Sequence, residues 1–158
     1  MTDQTIYELP ISFATRDDNN FLHYKGKYLL IVNVASACGF TSQYKQLQEL
    51  QDEFAKKLVI IGCPCNDFGG QEPGTIAEIA DFCSRDFGVS FPLTQKLSIT
   101  NQPHPLYHWL SRRANQNAMQ DEVKWNFHKF LVNPEGELIG SFSSSVSPVS
   151  EEIIELIK

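Results

Sequence analysis

Long apolar runs are missing from this chain of 158 residues: the longest, residues 28–32, falls far short of the roughly 20 residues that cross a bilayer. The opening Met1-Thr-Asp-Gln-Thr has neither a positive nor an apolar stretch, so no leader and no stable membrane insertion are expected, and the protein is placed in the cytoplasm. Basic charge is scarce too. Thirteen Lys and Arg stand against nineteen Asp and Glu, and the basic residues are scattered, which removes the electrostatic footprint of a nucleic-acid binder. Repeats, low-complexity tracts and long linkers are absent, with glycine and proline serving as turn punctuation. There are only four cysteines, and they form no pair of C-x-x-C knuckles: Cys63 and Cys65 lie two apart, while Cys38 and Cys83 stand alone. His23, His104, His108 and His128 add no ligand spacing, so neither a metal nor a cofactor is expected. In a reducing compartment such thiols read as free or catalytic and not as a disulfide framework.

What is present is enough apolar residue, 42%, for one domain over residues 1–158 that buries roughly 70% of its unfolded surface. Residues 29–35 (LLIVNVA) and 58–63 (LVIIGC) are near-continuous apolar runs, the pattern of central strands covered on both faces. Between them, residues 42–54 place Leu47, Leu50 and Phe54 on one helical stripe, which makes a βαβ unit. A capping box, Thr75-Ile-Ala-Glu78, opens a second helix with Ile76, Ile79, Ala80, Cys83 and Phe87 inside, and Gly88 closes it. A third helix runs from Pro105 through Trp109 and Leu110. Two strands, 127–132 and 137–142, flank an Asn133-Pro-Glu-Gly136 turn, and Ser147-Pro148 opens a final helix. Upstream, residues 6–13 and 21–24 flank the polar cluster Asp17-Asp-Asn-Asn20 and predict a short N-terminal β-hairpin. The fold class is α/β, a central mixed sheet flanked by helices on both faces.

Cys38 falls where the first strand runs into the first helix. A thiol at a helix head meets free N–H groups and the positive end of the macrodipole, both of which favour the thiolate, the attacking form. The plainer reading of a lone cysteine is a small buried side chain.

The element order resembles the thioredoxin fold with an N-terminal hairpin and an extra helix. In that fold the reactive cysteine opens a C-x-x-C motif, but here the second position is Thr41, which argues against a disulfide oxidoreductase. Three segments in order, Asn33-Val-Ala-Ser-Ala-Cys-Gly-Phe-Thr-Ser-Gln-Tyr44, Pro64-Cys-Asn-Asp-Phe-Gly-Gly-Gln-Glu-Pro73 and Trp125-Asn-Phe-His-Lys-Phe130, resemble the glutathione peroxidase family over nearly the whole chain. The resemblance implies that Cys38 is the peroxidatic residue and that Gln71, Trp125 and Asn126 complete a catalytic tetrad. Chemistry accounts for those partners: neutral N–H donors can hold thiolate sulfur and peroxide oxygens, whereas a carboxylate would oppose thiolate formation. Gly39 is expected to give the backbone freedom beside the sulfur, and Asn66 and Asp67 to structure their loop. Cys83 falls where the thioredoxin-dependent branch carries its resolving cysteine, which implies an intramolecular disulfide with Cys38 and some unwinding of the second helix. Cys65 is expected to fill the core. Cys63 stands where the family usually has Phe, which leaves it open as a competitor for the oxidised sulfur.

The resemblance further implies a thiol peroxidase acting on hydrogen peroxide and organic or lipid hydroperoxides. Thioredoxin is the expected reductant and a monomer the expected state, because Cys83 is present, residues 111–124 are short and the family's Arg before Phe142 is Ser141 here. Arg112, Arg113, Lys124 and Lys129 remain to keep glutathione open as a reductant. A peroxide sensor that relays Cys38 oxidation to a partner shares the same chemistry.

Overall fold

The computed structural model describes residues 4–15 and 19–158. Four strands form one sheet: β1 (Tyr28–Val34), β2 (Leu58–Pro64), β3 (Lys129–Val132) and β4 (Leu138–Phe142), in the order β2-β1-β3-β4. β1 runs parallel to β2 and antiparallel to β3, and β3 is antiparallel to β4. Four helices accompany it: α1 (Gln43–Glu53), α2 (Ile76–Phe87), α3 (Pro105–Gln116) and α4 (Glu151–Ile157). Among the described residues no helix is long and apolar enough to cross a membrane. The arrangement is thioredoxin-like, with helices on both faces.

The period-two geometry of the central strands divides the interior into two cores. Leu29, Ile31, Val59, Ile61 and Cys63 face α3 and the N-terminal segment. Leu30, Val32, Val34, Leu58 and Ile60 face α1, α2 and α4. Because both faces are covered, β1 and β2 carry almost no polar residue, as their sequences foretold. Gln51 fastens the end of α1 to the sheet: its Nε2 donates to the Leu58 carbonyl at 2.7 Å and its Oε1 accepts the Ile60 N–H at 2.8 Å.

α2 has the predicted ends. Thr75 and Glu78 exchange side-chain and main-chain hydrogen bonds at its start, and Gly88 takes φ +60 at its close. Residues 133–136 turn β3 into β4, with Asn133 Oδ1 accepting the N–H groups of Glu135 and Glu137.

Two expectations are corrected. No N-terminal hairpin is found among the described residues: Ile6–Glu8 and Leu22–Tyr24 are short 3-10 turns, and the predicted turn falls partly on residues 16–18, outside those described. Ile6, Tyr7, Leu9, Ile11 and Phe13 enter the core, and the residues between them from Glu8 to Ser12 are exposed, so the segment alternates in and out without pairing to residues 21–24. Phe13 finds its strand partner in Thr94, beside β2, and Ala14 N–H bonds the Leu93 carbonyl at 2.8 Å. Residues 92–94 in turn bond Gly62, so this segment shields the outer edge of β2. The second correction concerns α4, which starts at Glu151 behind Ser150. Ser147 and Pro148 form a separate turn, in which Ser147 Oγ accepts the Val149 N–H at 3.2 Å and the Ser147 carbonyl accepts the Ser150 N–H at 3.0 Å.

Candidate active site

β1 leaves the sheet at Val34, and the chain makes a tight turn before α1 begins at Gln43. Thr41 holds that turn: its hydroxyl donates to the Ala35 carbonyl and accepts the Cys38 N–H, both at 2.9 Å. The position of the second cysteine in a C-x-x-C motif has thus become a structural pin. Cys38 lies five residues before α1, so the expectation that it heads the helix is corrected. The groups that address its sulfur are local. Phe40 N–H lies 3.3 Å from Sγ, and Trp125 Nε1–H lies 3.2 Å from it. Both are N–H donors directed at the sulfur. The cysteine is only 7% exposed. Gly39 has no positive φ and open space where a Cβ would stand, so the freedom expected of it is not used.

The loop after β2 closes over this turn. Gln71 carbonyl accepts the Ala37 N–H at 3.1 Å, next to Cys38. Gly69 and Gly70 take φ +70 and +60, and a Cβ on Gly69 would stand 2.8 Å from Trp125 Cη2, so glycine is required there for both reasons. Asn66 and Asp67 structure the loop as expected. Asn66 Oδ1 accepts the Glu72 N–H at 2.8 Å, and Asp67 Oδ2 accepts those of Ile99 and Thr100 at 2.7 and 3.0 Å. Burial alone would raise the Asp67 carboxyl, but these N–H groups outweigh it and hold it below the usual carboxylate range.

Asn126, fully buried, donates its amide hydrogens to the Phe68 carbonyl at 3.3 Å and to Gln71 Oε1 at 3.0 Å. Sequence reasoning took both amides as donors toward substrate. The geometry divides the work: Asn126 orients Gln71, whose Nε2 has no partner among the described residues, while Asn126 Oδ1 is buried and unsatisfied. One free donor and one free acceptor therefore remain.

Cys83 belongs to the same packed cluster as Cys38 but sits within α2, 1% exposed, and the two thiols are not bonded. Burial pushes the Cys83 thiol up to about 11; the Tyr44 hydroxyl beside it opposes the shift, and the charges of Glu72 and Asp86 add to it. Cys63 and Cys65 lie in the other core, across the sheet. Burial pushes each up to about 12. The sheet therefore separates Cys63 from Cys38, against the competition left open for it.

Lys129 does not lend charge to the site surface. It is fully buried, its Nζ donates to the carbonyls of Ser144 and Val146, and burial pulls it down to about 7. Ser141 Oγ donates to the Gln120 carbonyl at 2.7 Å and contacts His128 Nε2 at 2.8 Å, which fixes that ring nitrogen as the N–H donor. Burial, with the Lys129 charge adding, pulls His128 down to about 4.

Sequence reasoning missed two residues near the site. Glu72 is 1% exposed, with Oε1 accepting the Ser36 N–H at 3.0 Å; burial raises its carboxyl, while Ser36 and Lys96 oppose the shift. Nothing in its Gly-Gln-Glu-Pro surroundings announced that burial. Asn33 did carry a signal: it is the one carboxamide inside the apolar run of β1.

Comparisons with known proteins show the family. Residues 6–111 match the family described as glutathione peroxidase. The chain is 43% identical to the glutathione peroxidase-like peroxiredoxin GPX5 of Chlamydomonas reinhardtii, across 95% of this chain and 93% of the relative. It is 40% identical to the glutathione peroxidase homolog BsaA of Bacillus subtilis (strain 168), across 98% and 99% respectively. Among solved structures, Trgpx in apo form superposes with a TM-score of 0.74 at 33% identity, covering 99% of this chain and 97% of that one.

Proposed function

The chain belongs to the glutathione peroxidase family and is a thiol peroxidase, in which we propose that Cys38 reduces the hydroperoxide and Cys83 resolves the product. The observation that carries this reading is the convergence of two N–H donors on Cys38 Sγ, at 3.2 and 3.3 Å. The Cys38 thiolate attacks the terminal oxygen of ROOH. An S–O bond forms, the O–O bond breaks, and its electron pair leaves on RO⁻, which takes up a proton to become ROH. Cys38 is left as a sulfenic acid. The free Gln71 Nε2–H suits the departing oxygen, and the unsatisfied Asn126 Oδ1 suits the peroxide O–H. Trp125 holds the sulfur.

Cys83 then ionises and attacks the sulfenic sulfur, and the hydroxyl leaves as water with one added proton. The product is a Cys38–Cys83 disulfide, which a dithiol reduces with two electrons and two protons. Bridging needs Cα atoms within about 7 Å, and Cys83 is buried inside α2, so in this reading α2 opens to deliver it. Its build favours that. Only Ile79 and Cys83 are fully buried along α2, and its ion pairs, Arg85 with Asp81 and Asp86, lie in solvent. We take thioredoxin as the reductant, because Cys83 supplies an internal disulfide and Lys129 is not available to hold an anionic tripeptide. A monomer in the cytoplasm completes the reading.

Peroxide-dependent NADPH oxidation tests it, with thioredoxin and its reductase in one arm and glutathione and its reductase in the other. The thioredoxin arm is expected to turn over and the glutathione arm to lag well behind. Rapid glutathione turnover would reassign the reductant. No turnover in either arm, with Cys38 still oxidised, would make the protein a peroxide sensor.

A further inference from the structure

Asn33 lies within β1 and is fully buried in an otherwise apolar run. A carboxamide there is tolerated only when its donors and acceptors are met. All its partners come from one short segment. Nδ2 donates to the Trp125 carbonyl at 3.1 Å, Oδ1 accepts the His128 N–H at 3.0 Å, and the Asn33 carbonyl accepts the Phe127 N–H at 2.6 Å. The β1–β3 ladder ends one residue earlier, at Val32 opposite Lys129. These three bonds therefore continue the pairing where the two backbones diverge. The segment needs such a hold, because Phe127 takes φ +65, a left-handed conformation that strains a bulky side chain.

The residues so pinned are those that address the sulfur. Trp125 meets Cys38 Sγ, and Asn126 meets Gln71 Oε1. The same strand end leads into Cys38, because the Ala35 carbonyl anchors the Thr41 hydroxyl that holds the cysteine turn. We propose that Asn33 is a positioning residue of the peroxidatic site: its carboxamide sets the arch of residues 125–128, so that the indole N–H meets Cys38 and the Asn126 amide meets Gln71. The proposal rests on the reading of Cys38, Gln71, Trp125 and Asn126 given above and assigns the part that holds them in register. A shift of about 1 Å in such a group can cost up to about a hundredfold in rate.

Asn33→Asp keeps the shape and the acceptor for His128 N–H but sets an oxygen against the Trp125 carbonyl. Single-turnover oxidation of Cys38 by hydrogen peroxide, quenched by alkylation and read by mass spectrometry, is compared in the native protein, Asn33→Asp, Trp125→Phe and the double variant. Trp125→Phe is expected to slow oxidation about tenfold to a hundredfold, and Asn33→Asp about tenfold. The double variant should be slowed by clearly less than the product of the two single effects, because the indole is one of the two groups through which Asn33 acts. A native rate in Asn33→Asp, or a double variant slowed by the product of the two single effects, would overturn the proposal and leave the site reading intact. A native rate in Trp125→Phe would bring down the site reading, and the proposal with it. Should Asn33→Asp not fold, Asn33→Thr takes its place in the same four-way comparison, since its β-branched side chain suits a strand and its hydroxyl meets only one of the two partners.

Discussion

The two faces of the sheet each hold a pair of thiols and a buried tyrosine, yet they prepare those thiols for opposite fates. On the α3 face, Cys63 and Cys65 belong to β2 and its end, fully buried, with the Tyr107 hydroxyl beside Cys63. On the other face, Cys83 has the Tyr44 hydroxyl beside it, and Cys38 stands in a turn at the strand end. Burial is nearly the same for all four. What differs is the element that carries the sulfur. A strand laddered to β1 along its length and covered at its outer edge by residues 92–94 holds its side chains in the sheet, whereas a turn can be fitted with donors and a lightly packed helix can open.

The sharpest way to break this comparison is to delete thiols one at a time. Cys38→Ser should lower peroxide turnover by on the order of 10⁴-fold or more, while Cys63→Ala should stay within about twofold of native turnover and lose only about 1–2 kcal/mol of stability in urea unfolding. A large loss of turnover in Cys63→Ala would erase the distinction between the faces. Next in size, Cys83→Ser should consume one equivalent of peroxide per chain and then stop in the thioredoxin-coupled assay. Continued cycling would mean that another thiol reaches Cys38.

The loops offer a finer contrast. Gly69→Ala, which meets Trp125 and an adverse φ, should slow Cys38 oxidation about tenfold, whereas Gly39→Ala, with open space, should leave it unchanged. The smallest effect is on pH-dependent stability. The thiols of Cys63, Cys65 and Cys83 are raised above their unfolded value of ~8.5. The stability they confer is therefore complete below that pH and lost as pH rises toward about 11 and 12. His128 acts in the opposite direction: held down to about 4, it confers stability that is present above ~6.5 and lost as pH falls toward 4. Melting temperatures from pH 4 to pH 11 should therefore fall at both ends, and a flat alkaline limb would show that the thiols are less sequestered than described.

Much of this was legible in the residues. The apolar runs of β1 and β2, the Thr75–Glu78 box and the Gly88 stop are local signals, and each sits where it was read. The N-terminal segment was misread because its partner, Thr94, lies far along the chain, and no local pattern reveals a long-range bridge. α4 starts late because Ser147-Pro148 serves a turn as well as it would a cap. At the site, the residue types spoke for the chemistry but not for the division of labour. That Asn126 serves Gln71, and that Thr41 and not the α1 terminus frames Cys38, follows from distances that no sequence carries.

Lys129 gives the protein a built-in gauge of its own opening. With its amine sealed beneath the carbonyls of Ser144 and Val146, it should be silent to acylating footprinting reagents that mark exposed Lys25, Lys45 and Lys56. Its labelling would report rupture of the whole sheet. Alkylation of Cys83 would report the excursion of α2 alone, so the two signals read from one sample would separate catalytic breathing from denaturation.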